Sequence, residues 1–169
     1  MPSISPTENL LAGLSDRQRE AVTHTDGPLL IVAGPGSGKT RVMAHRVAYL
    51  VGEKGVPPWT ILAVTFTNKA ARELRERCER LVGAGSNELQ VRTFHGFCSR
   101  VLRSDGESVG LKPEFTIYDA DDQARVARRI LDEFDIDPKQ FPPRALLSVI
   151  SDAKNNMRSP AQLSRRTET

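Results

Sequence analysis

A glycine-rich segment between an apolar run and a helical pattern limits the possible folds of this chain more than any other feature. Residues 29–33, Leu-Leu-Ile-Val-Ala, form a continuous apolar run bounded by turn residues, which predicts a strand covered on both faces of a parallel sheet. The glycine-rich residues 33–40 follow at once, and residues 42–50 have the spacing of a helix. A glycine loop between a strand and a helix is the setting of phosphate-binding loops, so the sequence predicts one here.

The residue types of this loop fit the binding of a nucleoside triphosphate. Glycines allow main-chain N–H groups to approach phosphate oxygens, and the N-terminus of the following helix favours negative charge. Lys39 is expected to contact the terminal phosphates, and the Thr40 hydroxyl is expected to bind Mg²⁺. A turn that only joins a strand to a helix rarely ends in Gly-Lys-Thr, which favours nucleotide binding. The predicted loop comprises Ala33, Gly34, Pro35, Gly36, Ser37, Gly38, Lys39 and Thr40, with Ala33 where the usual pattern has glycine.

Strand and helix patterns alternate after the loop. Residues 61–66 and 89–94 are predicted strands, because each is a short run with β-branched or apolar residues. Residues 68–82 and 95–103 are predicted helices with one apolar side. This order predicts an α/β fold in which helices flank a parallel sheet.

From about residue 110 the pattern becomes mostly helical. Residues 115–118 predict a short extended segment, and residues 121–134 and 143–155 predict amphipathic helices without an intervening strand. Ser-Pro-Ala-Gln at residues 159–162 predicts a further helix start, with a cap and a proline in the first turn. We expect the chain to end inside this last element.

Composition excludes some classes of protein. No apolar run approaches the roughly 20 residues that cross a bilayer, and residues 1–13 lack the features of a secretory signal, so no membrane partner is expected. Cys78 and Cys98 lie far apart on apolar helical stripes, which predicts two small buried side chains and a reducing cytoplasmic location. The net charge of +3 permits a polyanionic partner but does not predict one by itself.

Several separated blocks resemble the UvrD/PcrA/Rep family of superfamily 1 DNA helicases. They occur in the family's order, and together they extend the resemblance over nearly the whole chain from residue 14 to about residue 163. A phosphate loop alone does not distinguish a helicase from a kinase or a GTPase. The blocks that do so are LSDRQREAV at 14–22, AVTFTNKAAREL at 63–74, TFHGFCSRVLR at 93–103, and the segments at 115–119 and 150–155.

The resemblance implies a fold, a division of the chain and an activity. The fold is a RecA-like P-loop NTPase parallel sheet flanked by helices, incomplete here, followed by the start of a helical inserted subdomain. The implied division is a flexible tail at residues 1–13, the first part of the ATP-binding motor domain at 14–109 and the truncated subdomain at 110–169. The implied activity is ATP-dependent unwinding of DNA with 3′-to-5′ translocation, as in DNA repair. Its cofactors are ATP and Mg²⁺, and its partners are single-stranded DNA or single/double-strand junctions and the remainder of the helicase chain.

Two residues outside the loop are implied nucleotide contacts. Gln18 corresponds to the family's adenine-reading glutamine, whose amide can both donate to and accept from one edge of the base. Its position three residues after Ser15 also predicts a capping box, and the two uses are compatible if the amide nitrogen stays free. Arg41 is implied to stack on adenine or to contact phosphate, and a solvated helical arginine is the alternative.

The second and third blocks are implied to contact single-stranded DNA where strands end and helices begin. Hydroxyl and amide groups donate to phosphate or sugar there, and an aromatic ring offers a stacking face. Phe66 is as well explained as a core residue, and His95 as a satisfied core histidine. Gly96 replaces the serine common in the family and removes one hydroxyl donor. The predicted DNA contacts are Thr65, Phe66, Thr67, Asn68, Thr93 and His95.

The resemblance implies that ATP hydrolysis also requires a carboxylate pair at the end of another strand and arginines from a second motor domain. Residues 132–133 have helical surroundings, and residues 121–122 fall in the implied inserted subdomain, so neither pair fits this role. The sequence therefore predicts weak or absent ATP hydrolysis by this chain alone. The alternative to a helicase portion is a truncated stand-alone module that binds ATP or DNA without catalysis. A small P-loop kinase does not explain residues 65–71.

Overall fold

Helices and two short strands alternate along the part of the chain that the computed structural model describes, residues 6–164. The chain divides between Pro113 and Glu114 into two units, each with its own internal packing. In chain order the elements are α1 (Pro6–Leu11), α2 (Asp16–Thr23), α3 (Lys39–Gly52), β1 (Leu62–Thr65), α4 (Asn68–Val82), β2 (Gln90–Thr93), α5 (Phe94–Asp105), α6 (Ala120–Glu133), α7 (Pro143–Asn155) and α8 (Pro160–Ser164), with short 3₁₀ helices at Pro58–Thr60, Ser86–Glu88 and Gly106–Val109.

The sheet of the first unit consists of β1 and β2, which pair in parallel over their full length. Parallel strands need a crossover connection, and α4 provides it. Thr67 caps α4, because its hydroxyl accepts a hydrogen bond from the Ala70 N–H at 3.1 Å. The predicted α/β order is confirmed for these elements, and α4 has the predicted bounds.

The core of the first unit lies where α3 and α4 pack beside the strands. Ala44 and Val47 from α3 meet Leu74 and Cys78 from α4 and Val91 from β2, and all five are buried. Leu74 and Cys78 are four residues apart and therefore lie on one face of their helix. Because Leu74 is fully buried, removing its side chain from water stabilises the fold by roughly 1.5–3 kcal/mol.

Helices α1 and α2 are connected to α3 by side-chain hydrogen bonds. The Arg46 guanidinium donates to the Ala21 carbonyl at 2.8 Å and also to the His24 carbonyl, near the end of α2. His45 Nδ1 lies 2.8 Å from the Leu10 carbonyl at the end of α1. Part of the predicted tail thus forms a helix held against α3, while residues 1–5 lie outside the described residues.

The apolar run at residues 29–33 is not a strand in this structure, so that prediction is wrong. A strand requires a neighbouring backbone for its hydrogen bonds, and in residues 6–164 β1 and β2 pair only with each other. Leu30 and Val32 are 88% and 89% exposed, and Leu29 and Ile31 are also exposed. An apolar run predicts that its side chains are buried, but it does not show which other element would bury them.

The two cysteines have different environments. Cys78 is buried as predicted, and burial together with the neighbouring Glu79 carboxylate raises the pKa of its thiol from 9.0 to about 11. Cys98 is exposed, so the prediction of a buried side chain is wrong there. Its helix, α5, has no buried residue, and Val101 on the same stripe is exposed too. Helical periodicity identified an apolar stripe, but in the described part of the chain only Phe97 of this stripe is half-buried and the rest is exposed.

The second unit contains α6, α7 and α8, and the helices predicted there are confirmed. Asp119 caps α6 by accepting hydrogen bonds from the Asp121 and Asp122 N–H groups, and these bonds lower the pKa of its carboxyl. Residues 115–118 form no regular element, and the acidic residues 132–133 lie in the last turn of α6. Among the helices of residues 6–164, none combines the length and apolar content needed to span a membrane.

Candidate nucleotide and nucleic-acid site

Two glycines set the shape of the predicted phosphate loop. Gly36 and Gly38 have φ angles of 74° and 87°, in the left-handed region that favours glycine. Gly38 is the N-cap of α3 and provides no side-chain hydrogen bond to the first turn. The N–H groups at this helix start are therefore not capped by a side chain, which fits a helix N-terminus that receives an anion.

The polar side chains of the loop bind carbonyl groups of the loop itself. Lys39 Nζ donates to the Ala33 carbonyl at 3.1 Å and to the Gly34 carbonyl at 2.7 Å. Ser37 Oγ also donates to the Gly34 carbonyl, at 2.7 Å. The Lys39 ammonium is exposed, so it can exchange these neutral acceptors for phosphate oxygens, which form stronger charge-assisted hydrogen bonds.

Gln18 connects the start of α2 to the phosphate loop. Its Oε1 accepts from the Ser15 N–H at 3.0 Å, which with the Ser15 hydroxyl completes the predicted capping box. Its Nε2 donates to the Ser37 carbonyl at 3.0 Å. The prediction that the amide nitrogen stays free is therefore wrong. A Cβ placed on Gly38 would lie 3.0 Å from this nitrogen, so the contact also depends on glycine there.

Arg41 lies in the first turn of α3 and is half-buried. Its guanidinium passes close to the turn between α1 and α2, since a Cβ on Gly13 would lie 3.2 Å from Arg41 Nη2. Gly13 has a φ of 72°, so two independent features favour glycine at this point. This neighbouring segment shields part of the side chain from solvent, and the contact of Arg41 with adenine or phosphate stays a prediction.

The ends of β1 and β2 bring the second and third sequence blocks together. Thr65 and Thr93 are opposite each other in the parallel register. Thr65 Oγ1 donates to the Thr67 carbonyl at 3.1 Å, and Thr93 Oγ1 accepts from the Gly96 N–H at 3.1 Å as the cap of α5. The cap hydroxyls of Thr67 and Thr93 accept hydrogen bonds, which leaves each O–H proton available for donation to a ligand.

An exposed pair of aromatic rings stands beside these threonines. Phe66 is 90% exposed, and its ring centroid lies 5.4 Å from that of Phe94 with the planes tilted by 44°. The core explanation of Phe66 is therefore wrong in this structure. Sequence reasoning missed Phe94 as its partner, because the two residues become neighbours only through the pairing of β1 with β2. Both rings lie at the same sheet edge as the threonines.

The remaining residues of this block lie at the starts of two helices. Asn68 is the first residue of α4, and His95 is the second residue of α5 and is exposed, which excludes the explanation of His95 as a core residue. A Cβ on Gly96 would lie 3.1 Å from Thr93 Oγ1, so the absence of a side chain relieves crowding at this cap.

The predicted metal site has only one protein contribution in the described residues. Thr40 lies in the first turn of α3 and is half-buried beside Lys39. In residues 6–164, no group of three or more His, Cys, Asp or Glu side chains is placed to hold a metal ion.

Comparisons with known proteins found a matching family model and similar sequences. The model of the UvrD/REP helicase N-terminal domain matches residues 14–169. The chain is 52% identical over 159 residues to the ATP-dependent DNA helicase PcrA of Bacillus subtilis (strain 168), an alignment that covers 94% of this chain and 22% of that protein. It is 49% identical over 152 residues to PcrA of Staphylococcus aureus (strain Mu50 / ATCC 700699), covering 90% of this chain and 21% of that protein. The chain spans about a fifth of the length of these relatives.

Proposed function

The chain belongs to the UvrD/REP helicase family, and we propose that it is the ATP-binding and single-stranded-DNA-binding portion of a 3′-to-5′ DNA helicase. The observation that carries the proposal is the phosphate loop, in which left-handed Gly36 and Gly38 lead into an uncapped helix start beside Lys39. The parallel pair of strands with its flanking helices supports a partial RecA-like fold. The helices after Glu114 would then begin the inserted subdomain.

Nucleotide binding would begin with an exchange of hydrogen bonds at Lys39. In the structure its ammonium is held by the Ala33 and Gly34 carbonyls, and a triphosphate would offer charged oxygens in their place. The N–H groups at the start of α3 would bind the same phosphates. Thr40 would hold Mg²⁺, which neutralises charge on the β- and γ-phosphates when bound.

Gln18 would recognise adenine by the same kind of exchange. Its Nε2 donates to the Ser37 carbonyl, so reading a base with this nitrogen requires that the bond be released or shared. An amide N–H₂ group has two protons, and one can remain on Ser37 while the other donates to adenine. Gln18 would thus bind the base while it keeps the loop attached to α2.

Single-stranded DNA would bind at the ends of β1 and β2. Thr65, Thr67 and Thr93 present hydroxyl groups there, and α4 and α5 begin at the same edge, so two helix N-termini favour the negative backbone. The exposed ring of Phe66 offers a face on which a base can stack. Base–aromatic stacking contributes roughly 1–3 kcal/mol per base.

Rapid hydrolysis would need a carboxylate pair at the end of a strand, and the two acidic pairs considered in the sequence lie in a helix instead. The acidic residues 121–122 and 132–133 lie in the first and last turns of α6, in the second unit. We therefore expect the 169-residue chain to bind ATP but to turn it over slowly. Coupling of hydrolysis to movement on DNA would belong to the whole protein.

The test measures binding of fluorescently labelled ATP and of a labelled thymidine oligonucleotide to the 169-residue chain. Lys39→Ala should weaken ATP binding at least tenfold and leave oligonucleotide binding within about twofold, because only the former loses charge-assisted bonds. Phe66→Ala should have the opposite pattern, since it removes a stacking face. Lys54→Ala and Phe134→Ala are matched controls, because they remove an exposed lysine and an exposed phenylalanine far along the chain from the site.

Two results would contradict the proposal. Equal ATP affinity in the unsubstituted chain and Lys39→Ala would show that the loop does not bind the triphosphate. Equal oligonucleotide affinity in Phe66→Ala and Phe134→Ala would remove the strand ends as the DNA contact. A rapid ATP turnover that Lys39→Ala abolishes would contradict the expectation of slow hydrolysis.

A further inference from the structure

A pocket between α3 and α4 is lined by cationic groups. Its volume is about 190 Å³. None of the residues that line it is acidic, and they come from two helices of the same compact unit. The lining therefore contains three arginines and no carboxylate. Its lining residues are Arg41, Ala44, His45, Arg77, Arg80 and Leu81.

The arginines of this pocket are not neutralised by carboxylates. The salt bridges found in residues 6–164 all lie in the second unit. On α4, Glu73 and Glu76 precede Arg77 and Arg80 by four residues, the spacing and order that favour ion pairs along a helix. Neither pair forms a salt bridge in the structure, and both guanidinium groups line the pocket instead.

Two of the three arginines are partly buried, which raises the free-energy cost of leaving their charges unpaired. Arg41 and Arg77 are half-buried, and Arg80 is exposed. Within the described residues, none of the three guanidinium groups has a hydrogen bond to a carboxylate or a carbonyl. Like charges that share a partly desolvated pocket repel each other, and an anion between them replaces that repulsion with attraction.

We propose that this pocket binds a phosphate group. A guanidinium donates two parallel N–H bonds to adjacent phosphate oxygens, which makes arginine well suited to this ligand. The pocket is smaller than the roughly 300–1,000 Å³ of cavities that hold drug-sized ligands, so it accommodates one oxyanion and not a whole nucleotide. The phosphate comes either from free inorganic phosphate or from a phosphodiester of a DNA strand. This site goes beyond the proposed function, because it uses neither Lys39 nor the strand ends and shares only Arg41 with the predicted nucleotide contacts.

The experiment is carried out on the 169-residue chain with Lys39→Ala, which weakens phosphate binding by the glycine loop. Sodium phosphate is titrated at constant ionic strength while the side-chain Nε–Hε resonances of the arginines are followed by NMR, with sodium chloride as the reference salt. Arg80→Gln tests the pocket, and its exposure makes it tolerable to the fold. Arg72→Gln is the matched control, an exposed arginine on α4 that does not line the pocket.

The expected result is a saturable shift of the Arg41, Arg77 and Arg80 resonances by phosphate that chloride does not produce. Arg80→Gln should weaken the phosphate Kd about tenfold, since it removes one charge-assisted donor, and Arg72→Gln should change it less than about twofold. Equal shifts with phosphate and chloride would overturn the proposal. So would equal weakening by the two substitutions when circular dichroism shows both variants folded.

A second titration identifies the source of the phosphate. A five-residue thymidine oligonucleotide that shifts the same arginine resonances and competes with inorganic phosphate would assign the pocket to the DNA backbone. An oligonucleotide that leaves these resonances unchanged would assign it to free phosphate. Either result supports the pocket, and neither requires ATP binding by the glycine loop, which is weakened in the Lys39→Ala background.

Discussion

Replacing Gly38 with alanine tests whether the shape of the phosphate loop depends on its contact with Gln18. Gly38 has a φ of 87°, and an alanine in this left-handed region costs about 1–2 kcal/mol. The added Cβ would also lie 3.0 Å from Gln18 Nε2 and would displace its hydrogen bond to Ser37, a further loss of about 0.5–1.5 kcal/mol. We expect Gly38→Ala to lower the free energy of unfolding by about 2–3 kcal/mol.

Gly36 provides the matched control for this substitution. Its φ is 74°, but a Cβ placed there would meet no atom within 4 Å. Gly36→Ala should therefore cost only the backbone strain, about 1–2 kcal/mol. The difference between the two variants isolates the contact with Gln18, since both positions carry a similar conformational penalty.

A double-mutant cycle with Gln18 also measures the free-energy cost of the contact between Gln18 and a Cβ at residue 38. Gln18→Ala removes the amide that the new Cβ would meet, so Gly38→Ala should cost about 1 kcal/mol less in that background. The assay is urea unfolding followed by the fluorescence of Trp59, the single tryptophan, which lies in the first unit. Equal costs for Gly36→Ala and Gly38→Ala, or costs of Gly38→Ala that do not depend on Gln18, would refute this account of the loop.

Three further predictions concern the two free cysteines and a helix cap. In the native chain at pH 8, Ellman's reagent should react rapidly with Cys98 and not with Cys78. The Cys78 thiol is buried, and its pKa is raised to about 11. Rapid reaction of two thiols per chain would contradict the described core. Because the folded state of Cys78 holds its proton to higher pH than the unfolded state, stability should fall as pH rises above about 9, and Cys78→Ala should reduce that fall in urea titrations. Thr67→Ala should lower the free energy of unfolding by about 1 kcal/mol, because it removes the cap of α4. Thr67→Ser keeps the cap hydroxyl and should therefore lose much less stability. Equal losses for the two variants in the Trp59 assay would show that the cap hydrogen bond is unimportant.

The parts of the fold that the sequence predicts well depend on local chemistry. The bounds of α4 follow from a threonine cap, an apolar stripe and a glycine after the last turn. The capping boxes at Ser15 and Ser159 form as predicted, because each involves only residues three positions apart. Local hydrogen bonds of this kind are specified within one turn of chain, so they can be inferred without knowing the tertiary structure.

The failures have a common cause in contacts between distant segments. The apolar run at residues 29–33 lacks a paired neighbour, and the stripe on α5 lacks a covering surface, so periodicity alone gave the wrong burial for both. The hydrogen bond from Gln18 to Ser37 spans 19 residues, and the contact of Phe66 with Phe94 depends on strand pairing. Each requires the packed arrangement of elements, which residue patterns do not contain.

The hydrogen bonds of the candidate site also explain how the same side chains could serve both stability and ligand binding. The Gln18 amide holds the loop to α2, the Lys39 ammonium holds the loop to its own carbonyls, and Thr67 and Thr93 hold two helix starts at the strand ends. Each of these groups retains an unused proton or an exchangeable acceptor, so a phosphate or a base can bind without unfolding the element. Substitutions at Gln18, Thr67 and Thr93 should therefore change stability and ligand affinity together, whereas Phe66→Ala should change affinity alone because its ring is 90% exposed.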